Sequence, residues 1–154
     1  GAESYETRSN QRVLLARRSG LHVARIDHLL ARYGGLVDDL LALVRTRRAL
    51  AAPLTGAEDY LAAEVVYAVT HEGARHLDDV LTRRTRISIE TFDRGVAAAP
   101  HAARLMAEVL DWDDARVAEE VDHYLRRVEA ERQSQQMLTD QEADEARVQV
   151  TDLV

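Results

Sequence analysis

Residues 58–91 constrain the fold most, because two helix-spaced apolar stripes there each enclose a charge. Leu61, Val65, Ala68 and Val69 recur on one face of a 3.6-residue helix, and Glu64 sits inside that face. After Gly73 a second stripe runs Leu77, Val80 and Leu81, with Arg84 inside its face. A carboxylate and a guanidinium on facing core stripes are costly to desolvate unless they are paired. The expectation is therefore a Glu64–Arg84 or Glu64–Arg83 contact inside a helical hairpin over 58–86. Arg83, Arg84 and Arg86 then cluster beside Thr85. Arginines at a helix C-terminus stabilise the macrodipole and nearby carboxylates. A cluster of three also has surplus donors for a partner surface.

The remaining chain reads as helix with few interruptions. Alanine, leucine and arginine dominate, all good helix formers. Strand alternation is confined to the brief Arg86–Ile89. Helices are expected near 5–18, 22–33, 36–48, 57–72, 74–85, 101–110 and 114–137, with a short eighth near 140–147. Gly20, Gly34-Gly35 and Gly73 fall at the breaks, where glycine enters the left-handed region without penalty. Thr55 with Glu58, and Thr139 with Glu142, have capping-box spacing. Asp113 is placed to cap the long helix, with Trp112 and Val117 as a hydrophobic staple. That helix carries a stripe of Val117, Val121, Tyr124, Leu125 and Val128, which fades beyond Glu129. Gly1-Ala2 reads as a cloning remnant, and residues 148–154 as a frayed tail. The predicted fold class is all-α: one compact bundle of six to eight helices in a single domain.

Several chemistries lack their residues. There is no cysteine, hence no disulfide, thiolate metal site or cysteine nucleophile. No run approaches the ~18 apolar residues of a membrane span. His71-Glu72 with His76 resembles a zinc helix, but the histidines stand five apart and do not share a face. Glu72 is expected to reach His76 along the helix instead, and no metal is expected. The serines Ser4, Ser9, Ser19, Ser88 and Ser134 lack a strand–turn–helix setting. Gly34-Gly35 alone cannot make a dinucleotide cradle.

A helix-turn-helix over LLARRSGLHVARIDHLL is the rival reading. Ala16, Gly20 and Ile26 have the spacing, and Arg17, Arg18, His22, Arg25 and His28 could meet phosphates. The charge balance opposes it. Net charge is −7, and residues 101–154 carry six arginines against fourteen carboxylates, which repels a polyanion. Ile26 and Leu29 are therefore expected in the core. A stand-alone helical interaction module is a third reading.

The segment AEVVYAVTHEGARHLDDVLTRRTRISIET resembles the C-terminal domain of FAD-dependent glycerol-3-phosphate dehydrogenases and oxidases, with acidic residues ahead of an RRT core and a trailing Arg–apolar step. The likeness is densest over 58–95. It is looser over 20–57, where GLHVARIDHLLARYGGLVDDLL looks like the domain's opening helices, and rests on pattern alone over 96–147. The resemblance implies a non-catalytic piece of a larger enzyme, with FAD and the substrate-oxidising groups on an absent upstream part. It implies the upstream FAD-binding domain of the same chain as partner, with a homodimer as a further contact and no nucleic acid. The whole enzyme would be cytoplasmic and peripheral on the inner membrane face. Arg83, Arg84, Thr85 and Arg86 would order this domain against the flavin domain, with Glu64, Asp78 and Asp79 orienting them.

Overall fold

A computed structural model describes residues 2–136, with side chains from Asn10 onward. The architecture is mostly helical. Helix α1 (Ala2–Ser19) leads into α2 (Val23–Tyr33), and a single 3-10 turn, Gly34–Leu36, leads into α3 (Val37–Thr46). A second 3-10 turn, Arg48–Ala51, precedes a two-stranded antiparallel hairpin of β1 (Pro53–Leu54) and β2 (Ala57–Leu61). Helix α4 (Ala62–Thr70), a π-helical turn over Asp79–Arg84, and α5 (Ile87–Glu90) follow. Helices α6 (Ala99–Leu110) and α7 (Asp114–Gln136) complete the described chain.

Helix α4 is the central element. Every residue from Ala62 to Val69 is buried, the pattern of a helix apolar on all sides. It packs between α3 and α6. Ile26, Leu29, Val37, Leu40 and Val44 close one side of the core, and Ala99, Ala102, Ala103 and Met106 the other. Small alanines on α6 let the two helix backbones approach closely. The expected burial of Ile26 and Leu29 is met, both at 0% exposure. Gly20, Gly34 and Gly73 all take positive φ at the helix breaks. Asp113 Oδ1 accepts the Arg116 N–H at 2.7 Å, the expected cap of α7.

Four expectations need correction. The helix foreseen over 57–72 begins as strand β2, and α4 starts only at Ala62. Gly56 makes the turn at φ 83°, and a Cβ there would sit 2.5 Å from the Ala97 carbonyl carbon. The Thr55–Glu58 capping box does not form. Glu58 Oε1 accepts the Gly56 N–H at 2.9 Å, and the Thr55 N–H donates to His101 Nδ1 at 3.1 Å. The true helix start is set by Glu64, whose Oε1 accepts the Leu61 N–H at 2.9 Å. The helix over 74–85 is π-helical across Asp79–Arg84, and the alternation at Arg86–Ile89 is helix α5 rather than strand. The Thr139–Glu142 box, the eighth helix near 140–147 and the tail lie outside the described residues.

Candidate functional site

The charged residues of the central segment resolve into two polar clusters. The first is built on Glu64. Its side chain is fully buried, and its carboxylate faces Arg32 Nε at 3.4 Å and His28 Nε2 at 3.8 Å. Tyr33 donates its phenol proton to Glu64 Oε2 at 3.1 Å. All three partners lie on α2. The charge on α4 is thus compensated from the opening helices, and the Glu64–Arg84 and Glu64–Arg83 contacts are not made.

Arg32 carries the cluster outward. Its Nη1 donates to the Tyr60 hydroxyl at 2.8 Å, and its guanidinium lies over the Tyr60 ring, 4.6 Å from the centroid. Tyr60 donates to Glu90 Oε2 at 2.5 Å, and the Arg86 N–H donates to the Tyr60 hydroxyl at 3.3 Å. A chain of polar contacts therefore runs Glu64–Arg32–Tyr60–Glu90 from the core to α5. Burial, assisted by the bond to Glu90, pushes the Tyr60 phenol up to about 12. Burial and the Glu64 charge drive the Tyr33 phenol further up still. Both tyrosines are held as neutral hydrogen-bonding groups.

The π turn explains why Arg84 leaves the core. An α-helical continuation of Leu77, Val80 and Leu81 would centre residue 84 on the buried face. Instead the Thr85 N–H donates to the Val80 carbonyl at 2.9 Å, a closure over five residues. The inward position passes to Thr85, which is buried and bonds the same carbonyl through its hydroxyl at 2.7 Å. Arg84 is exposed. Its charge is felt by Glu72, whose carboxyl is pushed up by burial and drawn back by Arg84 and Arg32.

The second cluster surrounds this turn. Asp79 accepts the backbone N–H groups of Arg75 and His76, each at 3.0 Å, and Arg83 Nη1 at 2.8 Å. Partial burial opposes its charge, but those donors outweigh it and hold Asp79 below its ordinary value. Asp78 is buried, accepts Thr82 Oγ1 at 3.0 Å and pairs with Arg127 of α7 at 2.6 Å. Glu120, also on α7, accepts the Leu77 N–H at 2.9 Å and pairs with Arg116 at 2.7 Å. His76 bonds Glu120 at 3.0 Å, so the expected Glu72–His76 contact is replaced by one across the fold. Of the residues singled out from sequence, Asp78, Asp79, Arg83 and Thr85 gather here. Arg86 pairs with Glu90 at 3.3 Å at the outer end of the first cluster.

Sequence reasoning missed Arg32, Tyr33, Tyr60, Glu90, Glu120 and Arg127. A signal for Arg32 existed: Arg32 adjoins Tyr33 on the stripe of Ile26 and Leu29, and His28 stands four residues before it. Glu120 and Arg127 sit among many charges on α7 and carry no such mark.

These clusters fasten elements to one another. Gly34-Gly35 opens a 3-10 turn between two helices, and the described strands form a single hairpin. The residues present do not fit the phosphate cradle of a bound dinucleotide, which needs a glycine turn between strand and helix. Among the described residues, no three His, Asp or Glu side chains gather to hold a metal. No described helix is long and apolar enough to cross a membrane. The class so defined is a mostly helical domain braced by buried ion pairs.

The chain belongs to the family of C-terminal domains of alpha-glycerophosphate oxidase, whose profile matches residues 1–117. It is 45% identical over 144 residues to glycerol-3-phosphate dehydrogenase 2 of Mycobacterium tuberculosis, covering 94% of this chain and 25% of that protein. It is 46% identical over 144 residues to the glycerol-3-phosphate dehydrogenase of Mycobacterium leprae, with the same 94% and 25% coverage. A Synechocystis glycerol-3-phosphate dehydrogenase is 31% identical over 107 residues, 68% of this chain and 19% of that protein. The chain therefore spans about a quarter of the length of the mycobacterial relatives. No solved structure gives a significant match.

Proposed function

We propose that this chain is the non-catalytic C-terminal helical domain of an FAD-dependent glycerol-3-phosphate dehydrogenase, packing on the flavin domain of the same polypeptide. The carrying observation is the family match to a domain that spans a quarter of its dehydrogenase relatives. The absence of a glycine cradle among the described residues supports placing the flavin upstream. The parent reaction takes glycerol 3-phosphate to dihydroxyacetone phosphate, with bound FAD supplying the two-electron chemistry and quinone receiving the electrons. The parent works in the cytoplasm, peripheral on the inner membrane face, with a homodimer contact as a further role for this domain.

Arg83 and Arg86, like Arg84, face outward, their side chains 56% and 66% exposed. In this reading they meet the flavin domain, where a planar guanidinium suits desolvated contacts. Asp78, Asp79 and Thr85 fix the turn that presents them, and Glu64 anchors the chain of contacts leading to Arg86. The test is direct. The purified chain should be colourless and should not reduce an artificial electron acceptor with glycerol 3-phosphate. A stoichiometric flavin absorbance band would overturn the assignment.

A further inference from the structure

The segment after the π turn carries the most exposed apolar side chains of the described structure. Ile89 on α5 is 70% exposed, and Phe92, two residues beyond the helix, is 105% exposed. The backbone that holds them is fixed from several directions. Ile87 is fully buried, and Gly95, at φ 80°, packs so closely that a Cβ there would lie 2.8 Å from Ile87 Cγ2. Tyr60 holds Glu90, and Tyr124 donates to the Arg94 carbonyl at 2.6 Å. Asp93 accepts the N–H groups of Gly95 and Ala97 at 3.0 and 2.7 Å. Arg94, at a positive φ of 60°, is clamped to Glu131 at 2.6 Å and to Gln135 at 3.1 Å. Two large apolar groups thus stand in solvent on an immobilised segment.

Leaving them there is costly, and fixing them in advance lowers the entropy cost of burying them against a partner. Both side chains line a cleft of about 530 Å³, together with Asp78, Thr82, Arg94, Arg127 and Glu131 among others. An apolar anchor bordered by charges of both signs is the anatomy of a protein–protein contact.

We propose that Ile89 and Phe92 are the anchor by which this domain docks on the upstream part of its own polypeptide. This rests on the reading of the chain as the C-terminal part of a longer dehydrogenase. The occupant follows from length: the relatives carry about three-quarters of their chain outside the matched region, the share left by 25% coverage. That part is covalently joined and is present at high effective concentration wherever this domain is made. Arg86, on the same face as Ile89, supplies the polar rim.

Hydroxyl-radical footprinting with mass spectrometry tests the proposal on the parent-length polypeptide and on this chain alone. Oxidation of Phe92 should fall about tenfold in the long form, as for a side chain moving from open solvent into an interface core. Leu36, exposed elsewhere, serves as the comparison. Ile89→Ser with Phe92→Ser should abolish the protection of neighbouring Arg86 in the long form and leave the melting of this chain unchanged. Protection of a different face with Phe92 still open overturns the anchor and leaves the packing reading intact. No protected face at all overturns both. Protection of this chain alone that grows with concentration assigns the anchor to a second copy, and protection only on adding anionic phospholipid vesicles assigns it to a membrane. Either result overturns the proposal.

Discussion

At the scale of single residues, buried charge decides which substitutions matter. Glu64 is fully buried, pairs with the Arg32 guanidinium, and accepts hydrogen bonds from Tyr33 and the Leu61 N–H. Removing its carboxylate leaves Arg32 without its anion inside the fold and uncaps α4. Glu64→Ala should lower stability by about 3 kcal/mol or more, roughly 10 °C in Tm. Asp122→Ala removes an exposed pair with Arg126 and should cost less than about 0.5 kcal/mol. Equal melting temperatures for the two variants would contradict the role given to Glu64. The buried phenols set the alkaline limit. Tyr60 has its pKa raised to about 12, so folding favours its neutral form. That contribution is complete below the unfolded value of ~10 and is lost as pH rises from there towards 12. In a Tyr5→Phe background, tyrosinate absorbance should therefore appear late and together with loss of helical signal. A smooth titration near pH ~10 with the fold intact would contradict it.

At the scale of elements, the sequence was informative where periodicity is regular and uninformative where one residue shifts the register. Glycine breaks and apolar stripes located α2, α3, α6 and α7, and the inward charge at Glu64 was recognisable. Its partner is not, because stripe spacing points to the next helix along the chain, whereas Arg32 and Tyr33 stand on α2. Reading 77–84 as an α-helix also put Arg84 inside, whereas the five-residue closure puts Thr85 there. A π turn has no composition of its own, so stripe counting cannot see it. Thr85→Val keeps the shape but removes the hydroxyl bonded to the Val80 carbonyl. It should cost about 1–2 kcal/mol in urea unfolding, and no measurable loss would show that the turn is held by packing alone. The hairpin was missed for a different reason: Ala57–Leu61 continues the composition of the helix it feeds. Gly56 marks it, since its positive φ and the Ala97 backbone at 2.5 Å exclude a side chain. Gly56→Ala should destabilise by more than about 1 kcal/mol. A neutral result would mean that the hairpin does not press on the start of α6.

At the scale of the whole molecule, the charges form two populations. Buried pairs such as Glu64–Arg32, Asp78–Arg127 and Glu120–Arg116 bind element to element. The arginines at 83, 84 and 86 face outward, and in the proposed reading they contribute little to folding and meet a partner. Arg83→Ala with Arg86→Ala should shift the melting of this chain by no more than about 1 kcal/mol in stability, while weakening the parent enzyme. Unfolding of this chain by the double substitution would make the cluster structural. The central claim is that this domain belongs against an upstream flavin domain. It is tested most directly by cutting a protease site placed at the junction of the parent-length polypeptide, then separating the products by size. The domain should stay with the flavin-bearing part at ~150 mM salt, where weak surface attraction is screened. Clean separation into a free flavoprotein that retains full dehydrogenase activity, and a free helical domain, would contradict it.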